Sequence, residues 1–244
     1  MFKNCLAAAA VLLLVGCGVP KPRQEPPHPA PAAGAGVAPP ESTHADGIPP
    51  QPAGQGVFVI DPAQSEVRLL VYRAGAMARL GHDHVITHRA VTGWIRFTGD
   101  PTAAQFAISL PVAAFVVDNA AARAEEGDEF LEEVGDEAKE GTRHNMLSAA
   151  LLDAEHHPNI TLVSVSVDPG AGVMNATLTL RIAGHESTLV VPFAVATSKA
   201  QISASGSVEL RQTALGLKPF SVMMGALQVK DEFTVKFTLV AMVT

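Results

Sequence analysis

The chain has 244 residues, a formal net charge of −7 and two cysteines. Its acidity is local, because the stretch from Asp118 to Glu140 contains ten acidic and two basic residues. We call this stretch the acidic insert. Outside it the charges of the mature chain balance, so the sequence lacks the concentrated basic patch that attracts nucleic acid. We expect no nucleic-acid partner.

The N-terminus has the features of an export signal. Lys3 precedes an apolar run over residues 6–15, which is too short to span a bilayer, and residues 14–17 read Leu-Val-Gly-Cys. This ending resembles a bacterial lipobox, so we predict a signal peptide over residues 1–16 and lipidation of Cys17. The alternatives are an uncleaved anchor and an ordinary signal peptide followed by an incidental cysteine.

Lipidation would attach the protein to a membrane of the bacterial cell envelope. Gly18 follows the lipidated cysteine, where an aspartate commonly retains lipoproteins in the inner membrane. The expected location is therefore the periplasmic face of the outer membrane. Cys5 would leave with the signal peptide, so the mature fold would have no thiol for a disulfide, a zinc-cysteine site or a cysteine nucleophile.

Residues 17–56 are predicted to form a tether. Eleven prolines lie between Val19 and Gly56, among alanine, glycine and glutamine and almost without large apolar side chains. Such a segment cannot bury a core. It is typical of an extended, semi-rigid linker whose upper reach, at about 3 Å per residue, is on the order of 100 Å.

Residues 57–244 are predicted to form one mainly β domain. Apolar and polar residues alternate with period two, as Leu178, Leu180 and Ile182 do with Thr177, Thr179 and Arg181. Because closure removes the edges of a large sheet, about eight antiparallel strands predict a barrel. The predicted strands are Val57–Asp61, Glu66–Arg73, His84–Phe97, Gln105–Leu110, Ile160–Val167 and segments within 178–182, 189–195, 202–211 and 233–239.

One stretch, Glu125 to Leu152, has apolar residues at helical spacing. It predicts a helical insert across one end of the barrel, where it would act as a plug or lid. Its acidic residues are expected to form a solvated face.

Several short motifs, in their order and spacing, resemble YceI-like domains over the whole folded part. They are residues 59–67 (VIDPAQSEV), Leu80-Gly81, residues 91–97 (VTGWIRF), residues 143–147 (RHNML), residues 157–164 (HPNITLVS), residues 176–180 (ATLTL) and residues 225–233 (GALQVKDEF). The resemblance implies an exported, lipocalin-like barrel that encloses an isoprenoid chain and has no established catalytic residues. Two departures are the longer acidic helix segment and the sequence His82-Asp83-His84.

The alternation itself supplies candidates for the barrel interior, although it leaves open whether they fill it or line a cavity. The resemblance favours a cavity that holds a polyisoprenoid or similar amphiphile, for carriage, storage or protection. The polar head would then lie at a mouth formed by the loop 80–84 and the helix with Arg143 and His144. The candidate lining residues are Leu178, Leu180, Leu189, Val191, Phe193, Phe233, Val235 and Phe237.

Two alternatives to lipid binding stay open. His82 and His84 would share one face of a strand and could bind a transition metal, with a third ligand from His144, His156, His157 or His185. The same histidines could instead bond to backbone or water. The other alternative is a structural or stress-related surface lipoprotein. Catalysis has no support, because neither a His-Glu-x-x-His motif nor a nucleophile elbow is present.

Overall fold

The computed structural model describes residues 47–244, so the predicted signal peptide, Cys17 and most of the tether lie outside the described residues. Within this range the chain forms twelve strands and two α-helices. The helices are α1 (Ala120–Ala124) and α2 (Asp136–Leu147). The strands are β1 (Val57–Ile60), β2 (Glu66–Ala74), β3 (His84–His88), β4 (Thr92–Arg96), β5 (Gln105–Pro111), β6 (Val116–Val117), β7 (Asn159–Pro169), β8 (Met174–Ile182), β9 (His185–Thr197), β10 (Gln201–Arg211), β11 (Ser221–Val222) and β12 (Leu227–Val243).

Eight of these strands close into an antiparallel barrel, which confirms the predicted fold class. Their order is β1-β4-β5-β7-β8-β9-β10-β12, and β12 pairs back to β1 through Phe58 and Val243. The strands β8, β9, β10 and β12 each pair with the next one in this order and form an antiparallel meander. Closure satisfies the backbone groups that an open sheet would leave at its edges.

The long strand β12 has two partners along the edge that faces away from β10. Its residues 241–243 pair with β1, and its residues 228–238 pair with β2. From β2 the sheet continues to β3 and β6. The predicted strand His84–Phe97 is therefore two strands, because the chain leaves β3 after His88 and enters the barrel again as β4.

A glycine allows β4 and β5 to approach closely. Gly93 has a φ of 138°, and a Cβ at this position would lie 2.2 Å from the carbonyl oxygen of Ala107. Only glycine avoids both the strained backbone and this clash.

The packed part of the chain begins before the predicted boundary at residue 57. Ile48 is buried together with Val57, Trp94 and Ala107, and the indole nitrogen of Trp94 donates to the carbonyl oxygen of Pro49 at 3.0 Å. The sequence did not predict this packing of Ile48, because a single isoleucine in a proline-rich segment gives no periodic pattern.

The stretch Glu125–Leu152, predicted as a helical insert, contains two separate helices. They are a 3-10 helix at Asp128–Phe130 and α2 at Asp136–Leu147, and turns connect them. Gly127 and Gly135 precede these two helices in extended backbone and interrupt the helical pattern. No helix among residues 47–244 is long and apolar enough to cross a bilayer.

Most acidic residues of the insert are exposed, as predicted, but its apolar side packs against the sheet. Phe130 is fully buried against Leu70, Val85 and Ala122, so the insert packs on the sheet formed by β2 and β3. Its Glu126 carboxylate accepts from Arg68 at 2.9 Å and from Lys236 at 2.5 Å. Burial by itself would raise the pKa of Glu126, but these two cations outweigh it and lower the pKa.

Candidate ligand-binding site

The barrel encloses an apolar cavity of about 330 Å³, which we call the deep cavity. Its walls come from the inward-facing residues of the barrel strands, because alternate side chains of each strand point to the same face. Among the described residues, Thr197 contributes the only polar side chain of the lining. An interior of this kind can hold a hydrocarbon chain without directional contacts.

All eight residues that the sequence proposed as lining are found in the wall of the deep cavity: Leu178, Leu180, Leu189, Val191, Phe193, Phe233, Val235 and Phe237. The opposite wall, which the sequence analysis did not single out, includes Ile95, Phe97, Phe106 and Ile108 on β4 and β5 and the residues beside them. Apolar residues also alternate along β4 and β5, so the same pattern could have identified this wall from the sequence.

A second cavity of about 290 Å³, the polar chamber, adjoins the deep cavity. Leu69, Phe115, Ile160, Ile182 and Phe233 line both spaces, so the two cavities are adjacent and share a wall. Unlike the deep cavity, the polar chamber has several polar side chains in its wall. They are Arg73, His82, His84, Thr142, Asn145, Gln212 and Gln228.

Helix α2 presents one face to the polar chamber. Ala138, Thr142, Asn145 and Met146 line it, and this spacing corresponds to one side of a helix. Of the predicted mouth, Arg143 and His144 lie on other faces of α2 and line neither cavity, whereas Gly81, His82 and His84 line the polar chamber. Arg143 donates through Nη2 to the carbonyl oxygen of Ala113 at 2.8 Å, and His144 is exposed.

Helix α2 therefore borders the polar chamber through Asn145 and Met146 and not through Arg143 and His144. Residues 143–147, which carried the family resemblance, include both faces of the helix. Met146 is buried on the face toward the chamber.

A buried network fixes His84 at the edge of the polar chamber. Its Nδ1 atom lies 2.6 Å from Oδ2 of Asp118, and its Nε2 atom lies 3.3 Å from Oγ1 of Thr142. The other oxygen of Asp118 accepts from Nη1 of Arg123 at 2.5 Å and from the backbone nitrogen of Val85 at 2.9 Å. The sequence analysis missed Asp118 because it counted this residue only as part of the acidic insert.

The Asp118 carboxylate is charged in this network. Burial alone would raise its pKa, yet the hydrogen bond and charge of His84, with the bonds from Val85 and Arg123, together lower the pKa below its ordinary value. Because the carboxylate can only accept, Nδ1 of His84 carries a proton and Nε2 is the atom that faces Thr142.

The structure does not bring the proposed metal ligands into one site. His82 precedes β3, which begins at His84, and the two ring centroids are 6.2 Å apart. Both ring nitrogens of His84 are already engaged by Asp118 and Thr142. Within residues 47–244 no group of three or more histidine, cysteine, aspartate or glutamate side chains is arranged to hold a metal ion.

The other histidines considered as a third ligand lie elsewhere. His156 pairs with Asp153 at 2.9 Å, outside the helix that was expected to end there. His157 lies against Gly184 and His185 against Gly216, where each ring occupies the space that a Cβ would need.

His88 is a further histidine with a distinctive environment. It is fully buried beside Phe115, with ring centroids 4.7 Å apart, and its Nε2 lies 3.0 Å from the carbonyl oxygen of Pro111. Its Nδ1 has no hydrogen-bond partner among the described residues. Burial lowers the pKa of His88, and the bond to Pro111 opposes this only in part.

Comparison with solved structures agrees with this architecture. BcnA of Burkholderia cenocepacia is 21% identical, with a TM-score of 0.56 over 75% of this chain and 99% of that protein. The YCEI protein of Campylobacter jejuni is 15% identical, with a TM-score of 0.45 over 64% of this chain and 83% of that protein. At this identity the likeness to BcnA concerns the fold alone, and the match to the Campylobacter jejuni protein supports no further conclusion. Among curated proteins, none matches the chain.

The sequence profile of the YceI-like domain matches residues 58–241, which include all eight barrel strands apart from the ends of β1 and β12. This match covers the strands, the acidic insert and both cavities. The chain therefore belongs to the YceI-like family.

Proposed function

We propose that the protein binds one polyisoprenoid or similar amphiphilic lipid, with the apolar tail in the deep cavity and the polar head in the polar chamber. The observation that carries this proposal is that an apolar cavity and a more polar one lie side by side and share a wall. A purely apolar ligand would leave the polar chamber unused, and a purely polar ligand would find no hydrogen bonds in the deep cavity.

The energetics favour a long hydrocarbon tail. Each buried methylene contributes about 0.8 kcal/mol, so several isoprene units give enough free energy for stable binding without polar contacts. The deep cavity, at about 330 Å³, lies within the usual range for ligand pockets of roughly 300–1,000 Å³. An extended chain would continue from it into the adjoining chamber.

The polar chamber favours a head group that exchanges hydrogen bonds over one with a formal charge. Arg73 is already paired with Asp83 and Glu132, and His84 with Asp118. Asn145, Thr142 and Gln228 remain as uncharged donors and acceptors in the wall. Binding, and not catalysis, is the role that this arrangement supports.

The cellular role in this proposal rests on the sequence. A lipidated Cys17 and a proline-rich tether would keep the barrel at the outer membrane, where it would carry, store or protect a lipid.

The test is organic extraction of the chain purified from bacterial membranes, followed by mass spectrometry of the extract. We expect an isoprenoid or related lipid in near-stoichiometric amount. The matched control is Ala176→Phe, which fills the deep cavity from its wall and should reduce the recovered lipid at least tenfold. Recovery of no lipid from the wild-type chain, or of equal amounts from both, would overturn the proposal.

A further inference from the structure

Two loops beside the polar chamber expose a group of large apolar side chains. The loops are residues 75–81 and residues 216–226, and we call them the rim loops. Met224 is fully exposed, Met223 is 60% exposed and Leu80 is 58% exposed. Phe220 and Val222 are more than one-third exposed. Adjacent apolar side chains in water mark an interaction surface more often than isolated ones do.

The backbone of the second rim loop is strained in a way that presents these side chains outward. Met223 and Met224 have φ values of 52° and 55°, and Gly225 follows with 88°. Left-handed backbone is unfavourable for residues other than glycine. Met224 nevertheless gains no burial in exchange. Strain of this kind without internal compensation points to an external partner.

The two rim loops form one surface. The backbone nitrogen of Met77 donates to the carbonyl oxygen of Ala226 at 2.7 Å. Gly75 lies so close that a Cβ there would be 2.5 Å from the same oxygen. The exposed Leu80 on one loop and the two methionines on the other are therefore held in a fixed relation.

This surface borders the polar chamber directly. Gly81 and Phe220 of the rim loops, with Leu227 just beyond them, line that chamber.

The charge of the rim loops is opposite to that of the whole protein. Their only charged residues are Arg79 and Lys218, although the formal net charge of the chain is −7. Both side chains are exposed, and neither has an ion-pair partner within the described part of the chain. Apolar tips flanked by free cations are typical of surfaces that insert shallowly into anionic bilayers.

We propose that the rim loops are a membrane-contact surface, which places the polar chamber against a bilayer containing anionic lipids so that a lipid ligand can pass between the two. The assignment of the ligand rests on the proposed function, whereas the contact itself rests on the rim loops. Met223, Met224 and Leu80 would enter the interface, and Arg79 and Lys218 would pair with lipid phosphates.

The test places an environment-sensitive NBD label at the rim of the full chain. In a Cys5→Ser/Cys17→Ser background, Met224→Cys supplies the single thiol, and Val190→Cys on the outer face of β9 is the matched control with 60% exposure. With vesicles of phosphatidylcholine and phosphatidylglycerol, the label at residue 224 should shift to the blue and be quenched by lipid-attached nitroxide. The label at residue 190 should do neither.

Two further variants separate the rim loops from other membrane contacts. Arg79→Gln and Lys218→Gln should each raise the lipid concentration for half-maximal response at residue 224 about fivefold. Met223→Gly removes both the strain and one apolar side chain, so it should weaken the response without loss of folding.

The proposal would be overturned if the chain binds vesicles while the label at residue 224 keeps the emission it has in water. It would also be overturned if the labels at residues 224 and 190 respond alike. A requirement for a protein component in the vesicles would overturn it as well. Lipid occupancy of the barrel is measured separately, by extraction. If the label at residue 224 responds to vesicles but no lipid is extracted, the membrane contact stands and only the proposed ligand is contradicted.

Discussion

The Nδ1 atom of His84 lies 2.6 Å from Oδ2 of Asp118, and this contact connects the wall of the polar chamber to the base of the acidic insert. The same carboxylate accepts from Arg123 in α1 and from the backbone of Val85 in β3. One buried anion therefore determines where the insert sits on the barrel and which tautomer His84 presents.

Loss of this anion should destabilise the fold. Asp118→Ala leaves the buried guanidinium of Arg123 without its counter-ion, and breaking a buried pair in this way costs about 3 kcal/mol. The unfolding free energy, measured in urea at pH 7, should fall by about that amount.

The matched control for Asp118→Ala is Glu186→Ala, which breaks the exposed pair with Arg181. Both side chains of that pair are more than half exposed, so the change should be below about 1 kcal/mol. Equal effects of the two variants would contradict the role given to Asp118.

Stability should depend on His88 when the pH falls below its ordinary pKa of 6.5. Burial lowers the pKa of His88 in the folded protein, so the unfolded chain binds the proton first and gains stability relative to the fold. The unfolding free energy should therefore be constant above pH 6.5 and decrease below it, by at most about 1.4 kcal/mol per pH unit for this group.

His88→Gln keeps a donor toward Pro111 and removes the titration, so its unfolding free energy should change less between pH 7.5 and pH 5.5 than that of the wild type. A His88 variant with the full wild-type slope would refute this assignment.

A hollow interior predicts unusual tolerance of large side chains. Ala176 lines the deep cavity, so Ala176→Phe should change the unfolding free energy of the lipid-free protein by less than about 1 kcal/mol. Ala241 is equally small and fully buried but lies in the packed core beside Ile60 and Ile202. There the same substitution should cost about 3 kcal/mol, and similar costs at both sites would show that the deep cavity is filled by the protein itself.

The polar chamber should discriminate between head groups. Asn145→Leu removes an amide from its wall, and the loss of one hydrogen bond of about 1 kcal/mol should weaken binding of a polyprenol about fivefold. Binding of the corresponding hydrocarbon should not weaken.

His144→Ala, one residue away on an exposed face of α2, is the control for Asn145→Leu and should alter neither affinity. A fluorescent competitor displaced by each ligand provides the measurement. Equal weakening toward the alcohol and the hydrocarbon would show that Asn145 contributes packing only.

The barrel and one wall of its cavity were predictable because alternation along a strand is a local property. Leu178, Leu180 and Leu189 could be assigned to the interior without knowing which strands pair. The position of α2 was harder, since its amphipathic pattern is weak and its acidic residues cover several faces. Helical spacing does not specify which face of α2 borders the polar chamber, and in the fold Asn145 lines it while His144 is exposed.

The network around Asp118 could not be predicted from the sequence. His84 and Asp118 are 34 residues apart, and they meet because β6 pairs with β3 and ends where Asp118 adopts a φ of 54°. The burial of Ile48 could not be predicted either, because its partners Trp94 and Ala107 are brought together by the register of β4 and β5. In both cases topology, which a periodic pattern does not specify, creates the contact.

Native mass spectrometry of the chain mixed with a polyprenol tests the central claim most directly, because it counts bound lipids on each folded molecule. We predict one polyprenol per wild-type chain and almost none on Ala176→Phe, whose side chain occupies the deep cavity. A wild-type chain that stays free of lipid, or an Ala176→Phe chain that binds as much as the wild type, would contradict the account.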